Sequence, residues 1–205
     1  GLVLRVFPLT ETSSVVHWLS AGAGRIGTVA KGARRPKSPF RGKLDLFHLA
    51  EFSFRRSRSS ELHTLCEVVL TESFPNLRTD VDLLDSLARA TKLLTRSTEE
   101  QTPLRAEFDL MLELVRRLNG GGAGEFWLSV FEVKFLASQG QEPDWAKAKL
   151  DPGTRAIAAK MATADWASLA KLRPSEMQLR RLAGFLEPFI LHHVGSIKPL
   201  AKRAD

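Results

Sequence analysis

Two hydrophobic periods divide this chain. Up to about residue 76 the apolar positions repeat every second residue or run in short β-branched blocks. LVLRVF (2–7) and SVVHWL (14–19) are separated by a proline and polar Thr, Glu and Ser residues. RIGTVAK (25–31) alternates Ile26, Thr28 and Ala30 against Gly27, Val29 and Lys31. LDLFHLAEFSF (44–54) places Leu44, Leu46, His48, Ala50, Phe52 and Phe54 on one face, and after the turn-like SRSS (57–60) comes LHTLCEVVL (62–70). Five short strands in this space predict a small antiparallel sheet or barrel.

Beyond residue 76 the period becomes helical. Leu83, Leu87, Ala90 and Leu94 form one stripe. Thr102-Pro103 reads as an N-cap and first helical position, leading a second stripe of Leu104, Phe108, Met111, Val115 and Leu118. NGGGAG (119–124) ends that helix. EFWLSVFEVKFLASQG (125–140) is apolar around most of its circumference, which predicts the centre of a helical domain. Ser175 with Gln178 has the spacing of a capping box opening a last helix through Leu179, Leu182, Leu186 and Phe189. The expected organisation is α+β, with a β domain over 1–76 and a helical domain over 77–205.

Composition narrows the class. The chain has 205 residues, 43% hydrophobic, enough for one good core or two modest ones. No apolar run approaches the roughly 18 residues of a membrane span. GLVLRVFPLT carries Arg5 within its apolar run and no small-residue cleavage site, so no signal peptide is expected. The single cysteine, Cys66, excludes an internal disulfide framework or a Cys-rich metal site. It suggests a reducing, cytoplasmic compartment and reads as a buried thiol on its strand. The net charge is +7, and its location matters more than its size. Residues 1–60 hold 11 Lys/Arg against 3 Asp/Glu, while the rest of the chain is nearly neutral. A cationic excess confined to one segment points to a polyanionic partner for that segment.

GAGRIG (22–27) matches the G-x-G-x-x-G spacing of a dinucleotide loop, and Asp45 lies at the distance of a ribose-binding acid. Such a loop needs a helix N-terminus after it to receive the pyrophosphate. The next residues, TVAKGARRPKSPFRG, contain strand formers, Gly32, Pro36 and Pro39, and leave no room for a crossover helix before Leu44. A hairpin turn over Ala21–Gly24 is the better reading.

The segment beyond the glycines carries more chemistry. KGARRPKSPFRGK places Lys31, Arg34, Arg35, Lys37, Arg41 and Lys43 in one irregular loop without an acid, and Arg55, Arg56 and Arg58 form a second basic cluster. Surface loops of this kind reach phosphates without burying charge. With Arg25 they form the candidate DNA-binding set. A β-barrel that binds single strands also offers rings for base stacking. Tyrosine is absent, so that role falls to Trp18, Phe40, His48, Phe52 or Phe54, which, Phe40 excepted, suit a core better than a platform. Phe40, set between Pro39 and Arg41, is the ring included in the candidate set.

These residues carry a resemblance. The run GRIGTVAKGARRPKS, preceded by PLTETSSVVHWLS and an opening LVLRVF, resembles the N-terminal domain of the RecO family of bacterial recombination mediators. Glu11, Gly24, Lys31, Gly32, Ala33, Arg34, Arg35 and Ser38 match its pattern in order, and FEVKFLASQGQEPDW resembles a segment of the family's helical half. The resemblance implies an OB-fold, a five-stranded barrel, followed by an all-helical domain. It implies a cytoplasmic, nucleoid-associated protein that is no enzyme. Such a protein binds single- and double-stranded DNA and anneals strands coated with single-strand-binding protein. It also works with RecR, and in some bacteria RecF, to load RecA in repair and homologous recombination. Many members bind zinc through two C-x-x-C pairs after this segment. Here the region reads DWAKAKLDPGTR, so no zinc is expected, and no other cofactor or membrane partner.

Alternatives stand beside this. An OB-fold RNA-binding or ribosome-associated module would show the same basic face, and a dinucleotide-dependent enzyme would use GAGRIG. His17, His48, His63, His192 and His193 have no metal-ligand spacing, and neither G-x-S-x-G nor a Walker loop occurs. Lys198, Lys202 and Arg203 read as a frayed terminus, with an extension of the cationic surface as the alternative.

Overall fold

The computed structural model describes residues 1–194; Lys198, Lys202 and Arg203 lie outside the described residues. Five strands, β1 (Leu2–Pro8), β2 (Ser14–Ser20), β3 (Gly24–Ala30), β4 (Leu49–Arg55) and β5 (Leu62–Glu72), close into a barrel in the order β1-β2-β3-β5-β4. Neighbours run antiparallel except at the seam, where β3 and β5 pair in parallel through Gly27–Leu62, Thr28–His63 and Val29–Thr64. A parallel pair cannot be joined by a tight hairpin. The long connection after β3 and the intervening β4 supply the crossover, giving the five-stranded closed barrel of an OB-fold.

Alternation selects the core. Val16 and Trp18 of β2, Ile26 and Ala30 of β3, Ala50 of β4, and Leu65 and Val68 of β5 point inward, with Phe52 and Phe54 packed against them. The Trp18 indole lies 4.1 Å from the Phe52 ring at 10° and donates its Nε1–H to Thr28 Oγ1 at 2.9 Å. That bond satisfies a polar atom which the closed barrel would otherwise strand.

Two expectations for this region are corrected. Residues 44–54 are not one strand. Phe47 takes φ 60°, the chain turns there, and regular pairing starts at Leu49. Leu46 therefore faces solvent. His48 is buried outside the strand, its Nε2 accepting from Arg78 and its Nδ1 bonding the Lys43 carbonyl at 3.2 Å. Cys66 is exposed, not buried. It stands with Glu67 on the outer side of β5, between the inward Leu65 and Val68.

A short 3-10 helix (Pro75–Thr79) leads to α1 (Val81–Ser97), α2 (Arg105–Asn119), α3 (Gly124–Ser138), α4 (Pro152–Thr163), α5 (Trp166–Leu169) and α6 (Glu176–Val194). Two compact units result. One joins Gly1–Val81 to Glu99–Gly121, so the barrel's unit includes α2; the other joins Asp82–Thr98 to the residues from Gly122 on. In the first unit Arg116 of α2 pairs with Glu72 of β5, and Asn119 Oδ1 accepts from the Asn76 backbone N–H at 3.1 Å. α2 begins later than Thr102-Pro103 suggests, with Leu104 at its N-cap. The Thr102 backbone is held against Gly24, and the Leu104 N–H donates to Ala21, so this stretch is spent on the β2–β3 turn.

In the second unit α3 is the hub, packed against α4 and α6 and buried from Phe126 through Val133. A Cβ on Gly124 would stand 2.8 Å from Ser86 Oγ of α1, so a larger residue there would force Ser86 to shift. The capping box is present: the Ser175 N–H donates to Gln178 Oε1 at 2.9 Å and the Gln178 N–H to Ser175 Oγ at 3.3 Å.

Candidate nucleic-acid interface

The residues after β3 fold as a succession of tight turns. N–H groups of Ala33, Arg35, Ser38, Arg41 and Lys43 each donate to the carbonyl three residues earlier. Gly32 and Gly42, at φ 70° and 72°, supply the left-handed positions this path needs. The loop is also tethered. Its Arg34 N–H donates to Thr12 O at 3.0 Å, the Arg34 guanidinium to Thr10 O at 2.9 Å, and the Gly32 N–H to Ser13 Oγ at 3.3 Å. At the far end Lys43 Nζ donates to Val68 O at 3.0 Å.

Phe40 is the loop's apolar anchor. It is only 7% exposed and belongs to the barrel core. The sequence placed this ring with the binding residues because its neighbours are Pro39 and Arg41. The loop's return toward the barrel is set by contacts distant in sequence, and it turns Phe40 inward.

Strand register places the start of the basic loop and the second basic cluster at one end of the barrel. Phe7 pairs with Val15, Val15 with Val29, Val29 with Thr64, and Thr64 with Arg55. The β1–β2 turn, the start of the loop at Lys31, and the turn carrying Arg56 and Arg58 therefore leave the barrel on the same rim. Lys31, Arg34, Arg35, Lys37, Arg41, Arg55, Arg56 and Arg58 are exposed. None of them, nor Lys43, forms an ion pair with an Asp or Glu among the described residues. The bonds made by Arg34, Arg41 and Lys43 go to neutral carbonyls, which orient the cations and leave their charge uncompensated. Rigidly held, unpaired cations are suited to phosphate contacts.

Arg25 is not brought into this set. It lies near the other end of β3, its side chain 14% exposed, 3.6 Å from Glu100. Burial lowers its pKa, Glu100 acting in the opposite sense. The suggested stacking rings are also occupied elsewhere. Trp18, Phe52, Phe54 and His63 stack in succession within the barrel, and His48 is buried.

One ring was missed. Phe7 is exposed on the outer face, its ring 5.5 Å from that of His17 at 28°. The signal was Arg5, two residues earlier on the same strand and so on the same face. The β-bulge between Val3 and Arg5 hid it within an apolar run.

The glycines of GAGRIG serve the barrel. Gly24, at φ 69°, sits where a Cβ would lie 1.8 Å from Thr102 O, and a Cβ on Gly27 would meet Leu62 at the parallel seam. They form a hairpin turn and strand with no helix N-terminus behind them.

The stretch after α3 has no cysteine, so it lacks the thiolate ligands for the zinc that the family resemblance implies. Hydrogen bonds hold this stretch together. Trp145 Nε1–H donates to Glu142 at 2.7 Å, Arg155 to Ala146 O at 2.6 Å, and Asp151 caps α4 by accepting from the Thr154 N–H and hydroxyl and from Arg181. These bonds, chiefly those from Thr154, bring the Asp151 pKa down to about 2. No described helix is long and apolar enough to cross a membrane.

Comparison with known proteins agrees with this architecture. Residues 1–74 match the family model described as "Recombination protein O N terminal", and residues 78–148 match "Recombination protein O C terminal". The DNA repair protein RecO of Bacillus pumilus (strain SAFR-032) is 33% identical over 144 residues, covering 70% of this chain and 56% of that protein. That of Rhodopirellula baltica is 30% identical over 143 residues, covering 70% and 53%. That of Bacillus subtilis (strain 168) is 31% identical over 144 residues, covering 70% and 56%. The matched stretch thus spans little more than half the length of these relatives. With the barrel, the tethered basic loop and both family models in register along the sequence, the chain belongs to the RecO family.

Proposed function

We propose that this chain is a DNA-binding recombination mediator whose barrel, within residues 1–76, holds single- and double-stranded DNA along its cationic rim. The observation that carries this is the set Lys31, Arg35, Lys37, Arg41, Arg55, Arg56 and Arg58, exposed with no acidic partner among the described residues, with Lys31 and Arg55, Arg56 and Arg58 leaving the barrel at one end. Side chains of this kind neutralise phosphates and leave base edges free, which is what pairing two complementary strands requires. Annealing needs no catalytic group, and the reading is of a mediator, not an enzyme. Family membership supports a role in DNA repair and recombination. It also supports the partners that go with it: single-strand-binding protein, RecR, in some bacteria RecF, and RecA loading in the cytoplasm on nucleoid DNA.

The test is fluorescence anisotropy with a non-repetitive single strand, its duplex and a structured RNA, and then annealing of complementary strands coated with single-strand-binding protein. Binding to both DNA forms with faster annealing is expected. Absence of DNA binding at low salt, or a preference for the RNA, would overturn the reading, since RNA recognition leans on the 2′-OH and splayed bases.

A further inference from the structure

We propose that the Phe7 ring, backed by His17, is a stacking platform for one base of a single-stranded DNA whose phosphates track the cationic rim. This rests on the DNA-binding reading above and adds to it a contact with the base. Phe7 is 43% exposed and is the one phenyl or indole ring among the described residues that stands out into solvent to this degree. The aromatic rings inside the barrel are stacked on one another and are less exposed than Phe7.

The platform is rigid for reasons visible in the sheet. Phe7 pairs with Val15, which is almost wholly buried, and leans on the imidazole two residues further along β2. His17 is opposite Arg5, which is exposed and supplies a cation beside the ring. Burial holds the His17 pKa below its usual value, with Glu100 opposing and Arg5 and Arg25 adding to the fall, so at neutral pH the ring behind Phe7 is an uncharged imidazole. An exposed ring beside cations is the pairing by which single strands are held without regard to sequence.

Position links the ring to the phosphate-binding surface. Phe7 occupies the same tier of the barrel as Arg55, and the turn after it is bonded to the basic loop through Thr10, Thr12 and Ser13. A strand contacting Arg34 and Arg35 passes the β1–β2 turn on the way to Phe7. Leu9, also exposed in that turn, extends the apolar surface.

The experiment uses the full chain and three variants, Phe7→Ala, Phe7→Leu and Phe7→Trp, titrated against a labelled single strand, a duplex and an abasic strand of equal length. Removing one stacking contact should weaken single-strand binding by roughly 5- to 150-fold in the Ala and Leu variants. Phe7→Trp should retain the affinity, and its indole emission should be quenched by the natural strand and not by the abasic one. Affinity for duplex and abasic strand should be unchanged, as should the salt slope. If Phe7→Ala binds the natural strand like the wild type while the wild type binds with a clear salt dependence, the platform is refuted and the cationic rim stands. If the wild type binds no DNA, both readings fall together.

Discussion

In the helices, Arg89 of α1 stands within 4 Å of Glu125 and Glu132 of α3, Arg180 is paired with Glu176, and Arg181 with Asp151. In the barrel's basic loop and the β4–β5 turn, Lys31, Arg35, Lys37, Arg55, Arg56 and Arg58 have no such neighbour among the described residues. The side chains are alike; their surroundings differ. A paired surface arginine is an internal device worth little to stability. An array of unpaired cations repels itself unless something anionic arrives, so it is the array that points to a ligand.

The sharpest way to break this contrast is charge reversal on each side of it. Arg35, Lys37, Arg55, Arg56 and Arg58 all changed to Glu should weaken single-strand binding by about 10³-fold near 0.1 M salt, taking each as one phosphate contact. The melting temperature should barely move, because none of these side chains is buried. Arg180→Glu, in the helices, should leave binding unchanged in the same anisotropy assay. Arg34 is left out of the set because its bonds to Thr10 and Thr12 tether the loop.

Next comes Phe40, where the question is whether the loop is anchored from below. Phe40→Ala should destabilise the barrel by about 3–4 kcal/mol in urea unfolding, the range for emptying a buried aromatic site. Phe40→Leu should recover most of both stability and DNA affinity, which a stacking role for this ring would not allow.

A smaller effect tests the helical side. Glu132 is buried in α3, and burial lifts its pKa from 4.5 to about 7, with Arg89 pulling down and Glu125 and Glu187 pushing up. Below about pH 4.5 it is protonated in the folded and unfolded chain alike and carries no penalty. As pH rises toward 7 the unfolded chain releases the proton first, so stability is lost, and above 7 the whole penalty is present. Glu132→Gln should therefore match the wild type near pH 4.5 and exceed it by on the order of 3 kcal/mol at pH 8. The smallest effect expected is Ser175→Ala, which opens the capping box and should cost about 1 kcal/mol by thermal unfolding.

Where the sequence was legible, local rules decided the outcome. Period-two blocks marked β1, β2 and β3, the stripe of Leu83, Leu87, Ala90 and Leu94 marked α1, and Ser175 with Gln178 marked the start of α6. Where it was not, a distant contact overrode the local pattern. The positive φ of Phe47 breaks an alternation that reads as unbroken, and Phe40 turns into a core that the loop reaches only after the barrel closes. Thr102, at a capping position by local pattern, is drawn away from the helix by its fit against Gly24. The cations of the candidate site were plain in KGARRPKSPFRGK, and the gathering of Arg55, Arg56 and Arg58 onto the same rim depends on the parallel seam, a pairing no local pattern encodes. Arg25 shows the converse, a basic residue in the right segment that the strand carries to the wrong end.

The cationic rim is tested by the salt dependence of single-strand binding, wild type against the five-residue reversal, read as the slope of log affinity on log salt. A linear wild-type plot is expected, with the slope of the variant shallower by about 0.7 for each phosphate contact removed. Equal slopes, with affinity lost or kept, would contradict it and place the phosphate contacts elsewhere on the chain.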